Sequence, residues 1–205
     1  DGPEGVTRVG GGLVSFLRVR PERLTESAEM AQKLRDAVKG AMEALNDPQV
    51  RWTPDNAFMI RRGPYVIASV MEESVHDRPL RLSGAYVDLF EPALPVVRDV
   101  TIVPGKQAFL YDLEYKAEDG RVIAASSRIE NVSGDARSFA FTAKGPRSVT
   151  AAARVRCPRK PSRIVIDAGE GGEELPFDWD EATKTVLIRY DNRPAGVRIS
   201  IYHER

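Results

Sequence analysis

The residues in this 205-residue chain with the most chemistry to offer are its carboxylates, several of which stand in pairs. Glu72 and Glu73 close one apolar run, Asp88 and Glu91 flank Leu89-Phe90, and Asp178 and Asp180 bracket Trp179. Glycoside hydrolysis needs two carboxyl groups roughly 5 to 9 Å apart, one to donate a proton and one to attack or to activate water. Carboxylates at strand ends are usually just solvated, so a compact glycosidase drawing on Glu72, Glu73, Asp88 and Glu91 is the lesser alternative. His76 beside Asp77 has the form of a general base with its orienting carboxylate, but Ser74 lacks the Gly-x-Ser-x-Gly elbow of a nucleophile. That stretch reads as a turn, and no catalytic residue is assigned.

The two tryptophans are the candidates for binding carbohydrate, since an aromatic face packs well against the C–H face of a pyranose. Trp52 lies in the polar stretch Val50-Arg51-Trp52-Thr53-Pro54 and is expected to be exposed. Trp179 precedes a turn into an alternating strand, where a core-edge position with its N–H on a nearby acceptor is the plainer expectation. Tyr65 and Tyr86 lie in strand patterns and read as structural. Cys157 follows the apolar phase of Ala153 and Val155 and should be an inert buried thiol. Asn131-Val132-Ser133 matches a glycosylation sequon, a weak three-residue signal.

Composition narrows the function classes. Thirty Lys and Arg balance thirty Asp and Glu, which argues against nucleic acid or an anionic membrane as partner. A single cysteine and two histidines leave no material for a disulfide framework or a cysteine-rich zinc site, and no cofactor is expected. No apolar run approaches the roughly 20 residues of a membrane-spanning helix. The chain starts at Asp1 without a signal-like stretch, which leaves its localisation undetermined.

The elements that would position these residues are mostly strands. Leu13 to Val19 is rich in β-branched and aromatic residues and predicts a strand. From Thr25 the period changes, and Ala31, Leu34, Val38, Ala41 and Leu45 form one helical stripe, capped by Thr25 or Ser27 and stopped by Asn46-Asp47-Pro48. Gly10-Gly11-Gly12 precede that strand instead of joining strand to helix, so they read as a turn and not a phosphate loop. Beyond the helix come short apolar runs broken at Gly63-Pro64, at Gly84 and at Pro104-Gly105. After the polar stretch 115–121, alternation takes over: Phe139 and Phe141, Ile164 and Ile166, Val186 and Ile188, Val197, Ile199 and Ile201. Period two means one buried and one wet face per strand. The fold expected is mainly β: antiparallel β-sandwich modules preceded by one strand and one amphipathic helix from an α/β unit. The expected divisions are 1–50 for the strand and helix, 51–116 for a β-rich module, and 117–205 for a C-terminal antiparallel sandwich. A single strand with one helix cannot cover its own edges and faces, so the rest of an open sheet is expected upstream in a longer protein, or the strand joins the β modules.

Three stretches carry a resemblance. Residues 7–45 resemble the closing strand and helix of the glutaminase-like domains of multidomain bacterial glycoside hydrolases related to the β-galactosidases. Residues 61–97 with 104–113 are similar to the β-rich segments that follow such domains. Residues 158–201, with a tryptophan-containing hairpin and a final Gly-Val-x-Ile strand, are similar to the C-terminal sandwich of many carbohydrate-active enzymes. The resemblance implies a non-catalytic accessory region, because the family's acid and nucleophile lie on a barrel that would precede Asp1. Such a region supports a catalytic domain or an oligomer interface, so the expected partners are an upstream catalytic domain or partner chain, then a glycan or a second copy. A free-standing carbohydrate-binding module is the alternative.

Overall fold

Gly10 and Gly11 form the two-residue turn of a β-hairpin. Strands β1 (Gly5–Val9) and β2 (Gly12–Phe16) pair antiparallel, with Gly5 opposite Phe16 and Val9 opposite Gly12, and Gly10 takes the left-handed φ of 58° suited to glycine. The strand expected to stand alone therefore has an antiparallel partner immediately before it. The sequence signal was weak because Val6 and Val9 are both exposed and give no buried phase to read. After a 3₁₀ turn (Pro21–Thr25) the helix α1 (Ala28–Leu45) follows. Ser27 is its N-cap, with the hydroxyl accepting from the Met30 N–H at 3.2 Å, and Asn46 ends it in a left-handed conformation. Lys33 on the helix pairs with Glu4 at 2.9 Å.

In this computed structural model, which describes residues 4–72, 75–115, 121–135, 137–169 and 171–204, these elements make up one unit, Asp1–Pro54, and the remaining strands a second, Asp55–Arg205. Glu73, Ser74 and most of the polar stretch 115–121 lie outside the described residues.

The second unit begins with five strands: β3 (Ala57–Arg62), β4 (Tyr65–Val70), β5 (Leu80–Asp88), β6 (Val96–Ile102) and β7 (Gln107–Asp112). They form one antiparallel sheet in the order β3-β4-β7-β5-β6. Gly63-Pro64 turns β3 into β4 as a hairpin, as its spacing predicts, whereas Pro104-Gly105 does not close the hairpin-like arrangement expected there: β6 and β7 lie on opposite sides of β5, because β7 takes its ladder hydrogen bonds from β4 and β5. Gly84 does not divide two strands: β5 runs through it with a bulge between Leu82 and Ala85, and the glycine, at φ 124°, supplies a backbone angle other residues rarely adopt. One face of this sheet gathers Val66, Ala68, Val70, Leu82, Tyr86, Ile102, Ala108 and Leu110 into a core of its own.

Nine further strands complete a sandwich: β8 (Arg121–Ala125), β9 (Arg128–Gly134), β10 (Ser138–Lys144), β11 (Thr150–Arg156), β12 (Arg163–Asp167), β13 (Glu173–Glu174), β14 (Phe177–Asp180), β15 (Thr185–Asp191) and β16 (Val197–Tyr202). Their two antiparallel sheets, ordered β14-β15-β11-β8 and β13-β12-β16-β10-β9, close on Phe139, Phe141, Val155, Cys157, Ile164, Val186, Ile188, Ile199 and Ile201. Each of the larger aliphatic or aromatic side chains contributes about 1.5 to 3 kcal/mol by leaving water. The fold is thus mainly β, with antiparallel sheets in a sandwich arrangement and, among the described residues, one α-helix.

A third cluster joins the five-stranded sheet to the sandwich. Ala85, Val87 and Tyr111 meet Ile123, Ala152 and Leu187, the outward side chains of β8, β11 and β15. Burial on both faces explains why β11 reads Ala-Ala-Ala-Arg-Val without alternation: Ala151 to Val155 are all buried.

Candidate binding groove

Arg154, in the middle of β11, is buried to 5% exposure and makes no ion pair among the described residues. Its Nε donates to the Leu94 carbonyl at 2.7 Å and its Nη1 to the Thr185 hydroxyl at 3.0 Å. Burial pushes the guanidinium pKa down, while Asp180 and Asp178 nearby pull it up. Leu94 has a left-handed φ of 48°, costly for a leucine, and is held there by the arginine, by its own N–H donating to the Glu91 carbonyl at 2.8 Å, and by its buried side chain. Arg154 thereby fastens the turn 89–94, which leads out of β5.

That turn forms one wall of an open groove with a volume of about 1010 Å³. Phe90, 59% exposed, stands on this wall with its ring 6.0 Å from that of Phe109 on β7, and Phe109 is 5.9 Å from Tyr65 on β4. The opposite wall is β8 with its continuation through Ser126 and Ser127, joined by Ile129 and Val132 of β9. Glu91 and Arg121 are the charged residues of this lining. The serine hydroxyls are engaged already: Ser126 Oγ accepts from the Ala152 N–H at 2.9 Å, and Ser127 Oγ contacts Asn192 Oδ1 at 2.6 Å and Tyr190 Oη at 3.1 Å.

The apolar surface continues beyond the groove. Strand register sets Ile60 opposite Ile67 and Ile67 opposite Phe109, so these three share one face of the sheet, with Phe58 beside them. Phe58, Ile60 and Ile67 are 60%, 40% and 48% exposed. Contiguous exposed apolar faces are a general mark of contact surfaces.

Of the sequence candidates, Glu91 lines the groove, whereas Trp179, Glu72, Asp88, Asp178 and Asp180 are not in its lining. Trp52 is exposed in the segment that follows α1, within the first unit. Trp179 is half-buried on β14 against the sandwich core, and its indole N–H donates to Glu181 Oε2 at 2.6 Å. Hydrogen bonds from Lys184 and Trp179 hold the Glu181 carboxyl below its usual range. Asp178 pairs with Arg189 at 3.0 Å, and Asp180 accepts from the Thr183 N–H at 2.8 Å, so both carboxylates have structural partners. His76 lies 3.4 Å from Asp55 and not against its neighbour Asp77 in any recorded ion pair. Glu72 lies beside Gly105, in the turn that precedes β7, whereas Asp88 sits opposite Leu110 within β7, which separates the two carboxylates along the sheet. Phe90 and Phe109 were not singled out by sequence reading. The available signal was Tyr65 and Ile67 on the wet phase of β4, opposite Val66, Ala68 and Val70.

No family model matches the chain, and no curated protein does. Among solved structures, a Flavobacterium johnsoniae GH31 dextranase complexed with glucose is matched with a TM-score of 0.34 at 10% identity, over 68% of this chain and 26% of that one. A mutant of the same dextranase complexed with isomaltotriose matches with the same figures. The chain therefore spans about a quarter of the length of the solved chains it matches.

Proposed function

We propose that this chain is a non-catalytic accessory region of a carbohydrate-active enzyme, and that its groove and the adjoining apolar sheet face hold another polypeptide of the same enzyme. The observation that carries this reading is the groove itself: an apolar channel walled by Phe90, Phe109 and the flank of β8, continuous with exposed Ile60 and Ile67. Its β-sandwich architecture and the likeness of residues 158–201 to the terminal sandwich of carbohydrate-active enzymes support the placement. The purified chain is expected to hydrolyse none of a broad panel of aryl glycosides. The product made by the native source is expected to be larger and to carry glycosidase activity, and its thermal midpoint should fall by several degrees on Phe90→Ser substitution. Glycoside hydrolysis by the isolated chain, lost on one carboxylate-to-amide change, overturns the reading.

One observation favours a glycan in the groove instead. Tyr65, Phe109 and Phe90 gather at the groove with ring centroids 5.9 and 6.0 Å apart and planes inclined by 33° and 64°, aromatic surface of the kind sugars pack against. Retardation of the chain in gels containing soluble polysaccharide, abolished by Phe90→Ala, would establish that reading in place of the first.

A further inference from the structure

We propose that the open edge of β8 is a strand-acceptor site, to which an extended, uncharged polypeptide segment of about five residues with an apolar side chain at every second position adds as a further strand. This rests on the reading that the groove holds polypeptide, and specifies the segment and how it is bound.

The first argument is how β8 meets the groove. All seven residues 121–127 line it. Successive side chains of a strand point to opposite faces, so a cavity that touches every residue in turn sees the strand from its edge. Among the described residues β8 has one strand neighbour, β11, in a four-stranded sheet.

The ladder then shows which backbone groups are open. Ala124 lies opposite Arg154 and Ala125 opposite Ala153, and the Ser126 N–H donates to the Ala152 carbonyl at 3.0 Å. Antiparallel pairs alternate between bonded and non-bonded, so with Ser126 bonded to β11 the N–H and C=O of Ala125 point away from β11, toward the groove edge. A β-bulge at Ile123 interrupts the register and confines regular pairing to a short length, which keeps the edge from templating an open-ended ladder.

The occupant follows from what the walls supply. Phe90, Phe109, Ile129 and Val132 line the same groove as the strand edge, so apolar side chains of an added strand find apolar surface there. Among the described residues the lining carries one charge of each sign, Glu91 and Arg121, and so favours no ligand of one sign. The hydroxyls of Ser126 and Ser127 are already engaged within the chain, which leaves Glu91 and Arg121 as the side-chain groups of the described lining for a glycan's hydroxyls. What the ladder leaves open is the main-chain N–H and C=O of Ala125, which another main chain matches.

The test pans a phage-displayed library of random nine-residue peptides against the full 205-residue chain and resynthesises the selected peptides. Expected are binders with alternating apolar residues that slow hydrogen exchange at Ala125. Ala125→Pro, which removes the outward N–H at an edge position where proline is tolerated, should weaken them at least tenfold. Phe90→Ala, at a position 59% exposed and outside the buried clusters, should weaken them at least fivefold, which keeps the test decisive if the proline variant fails to fold. Binders sensitive to Phe90→Ala that ignore Ala125→Pro and leave exchange at 121–127 unchanged overturn strand addition while sparing the broader reading. Absence of peptide binders, with soluble polysaccharide binding lost on Phe90→Ala, overturns both.

Discussion

Arg154 illustrates how one side chain ties the core to the groove. Its guanidinium is buried without an ion pair among the described residues and is satisfied by the Leu94 carbonyl and the Thr185 hydroxyl. Truncation would leave the Leu94 carbonyl without its donor in a left-handed turn that already costs energy, and would open a void beneath it. Arg154→Ala is therefore expected to lower stability by about 2 to 4 kcal/mol, read from urea unfolding followed by tryptophan fluorescence. It should also loosen the 89–94 turn, and so weaken groove binding more than its distance from the groove would predict. A loss below about 1 kcal/mol would mean the turn holds itself. Sixty positions separate the two partners, and nothing in the local sequence of either announces the other.

At the scale of elements, strand pairing at the end of the sandwich depends on glycine for space. Gly145, just past β10, lies against Asn192, just past β15, and a Cβ on the glycine would come within 2.5 Å of the Asn192 amide. Asn192 is buried, and its Oδ1 contacts Ser127 at the groove wall. Gly145→Ala should displace that amide and cost about 1 to 3 kcal/mol, with faster hydrogen exchange at Ser127 and Asn192. Gly11→Ala, where a Cβ meets nothing within 4 Å, should stay within about 0.5 kcal/mol of the parent. Equal melting points for the two variants would show that the contact yields freely. The strands themselves were readable: alternation at Phe139–Phe141 and Ile199–Ile201 matches β10 and β16 residue by residue, because both faces of those strands meet different surroundings. β1 escaped notice because all five of its residues are exposed.

For the whole molecule, the contrast is between a first unit that buries no residue of its helix or hairpin and a second unit with three buried clusters. Local stability follows buried apolar contact, so amides of α1 should exchange orders of magnitude faster than those of β11 and β16 in native-state hydrogen exchange. Equal protection would show that the first unit is covered in solution by something that binds it. Local sequence determined the helix with its Ser27 cap and Asn46 stop, the Gly63-Pro64 turn between β3 and β4, the sandwich strands and the burial of Cys157, since caps, turns and alternation are set by neighbours in the chain. Only tertiary structure decided the groove. Phe90 and Phe109 meet β8 because Val87 and Tyr111 pack with Ile123, Ala152 and Leu187, a burial between residues far apart in the chain that leaves no period to read.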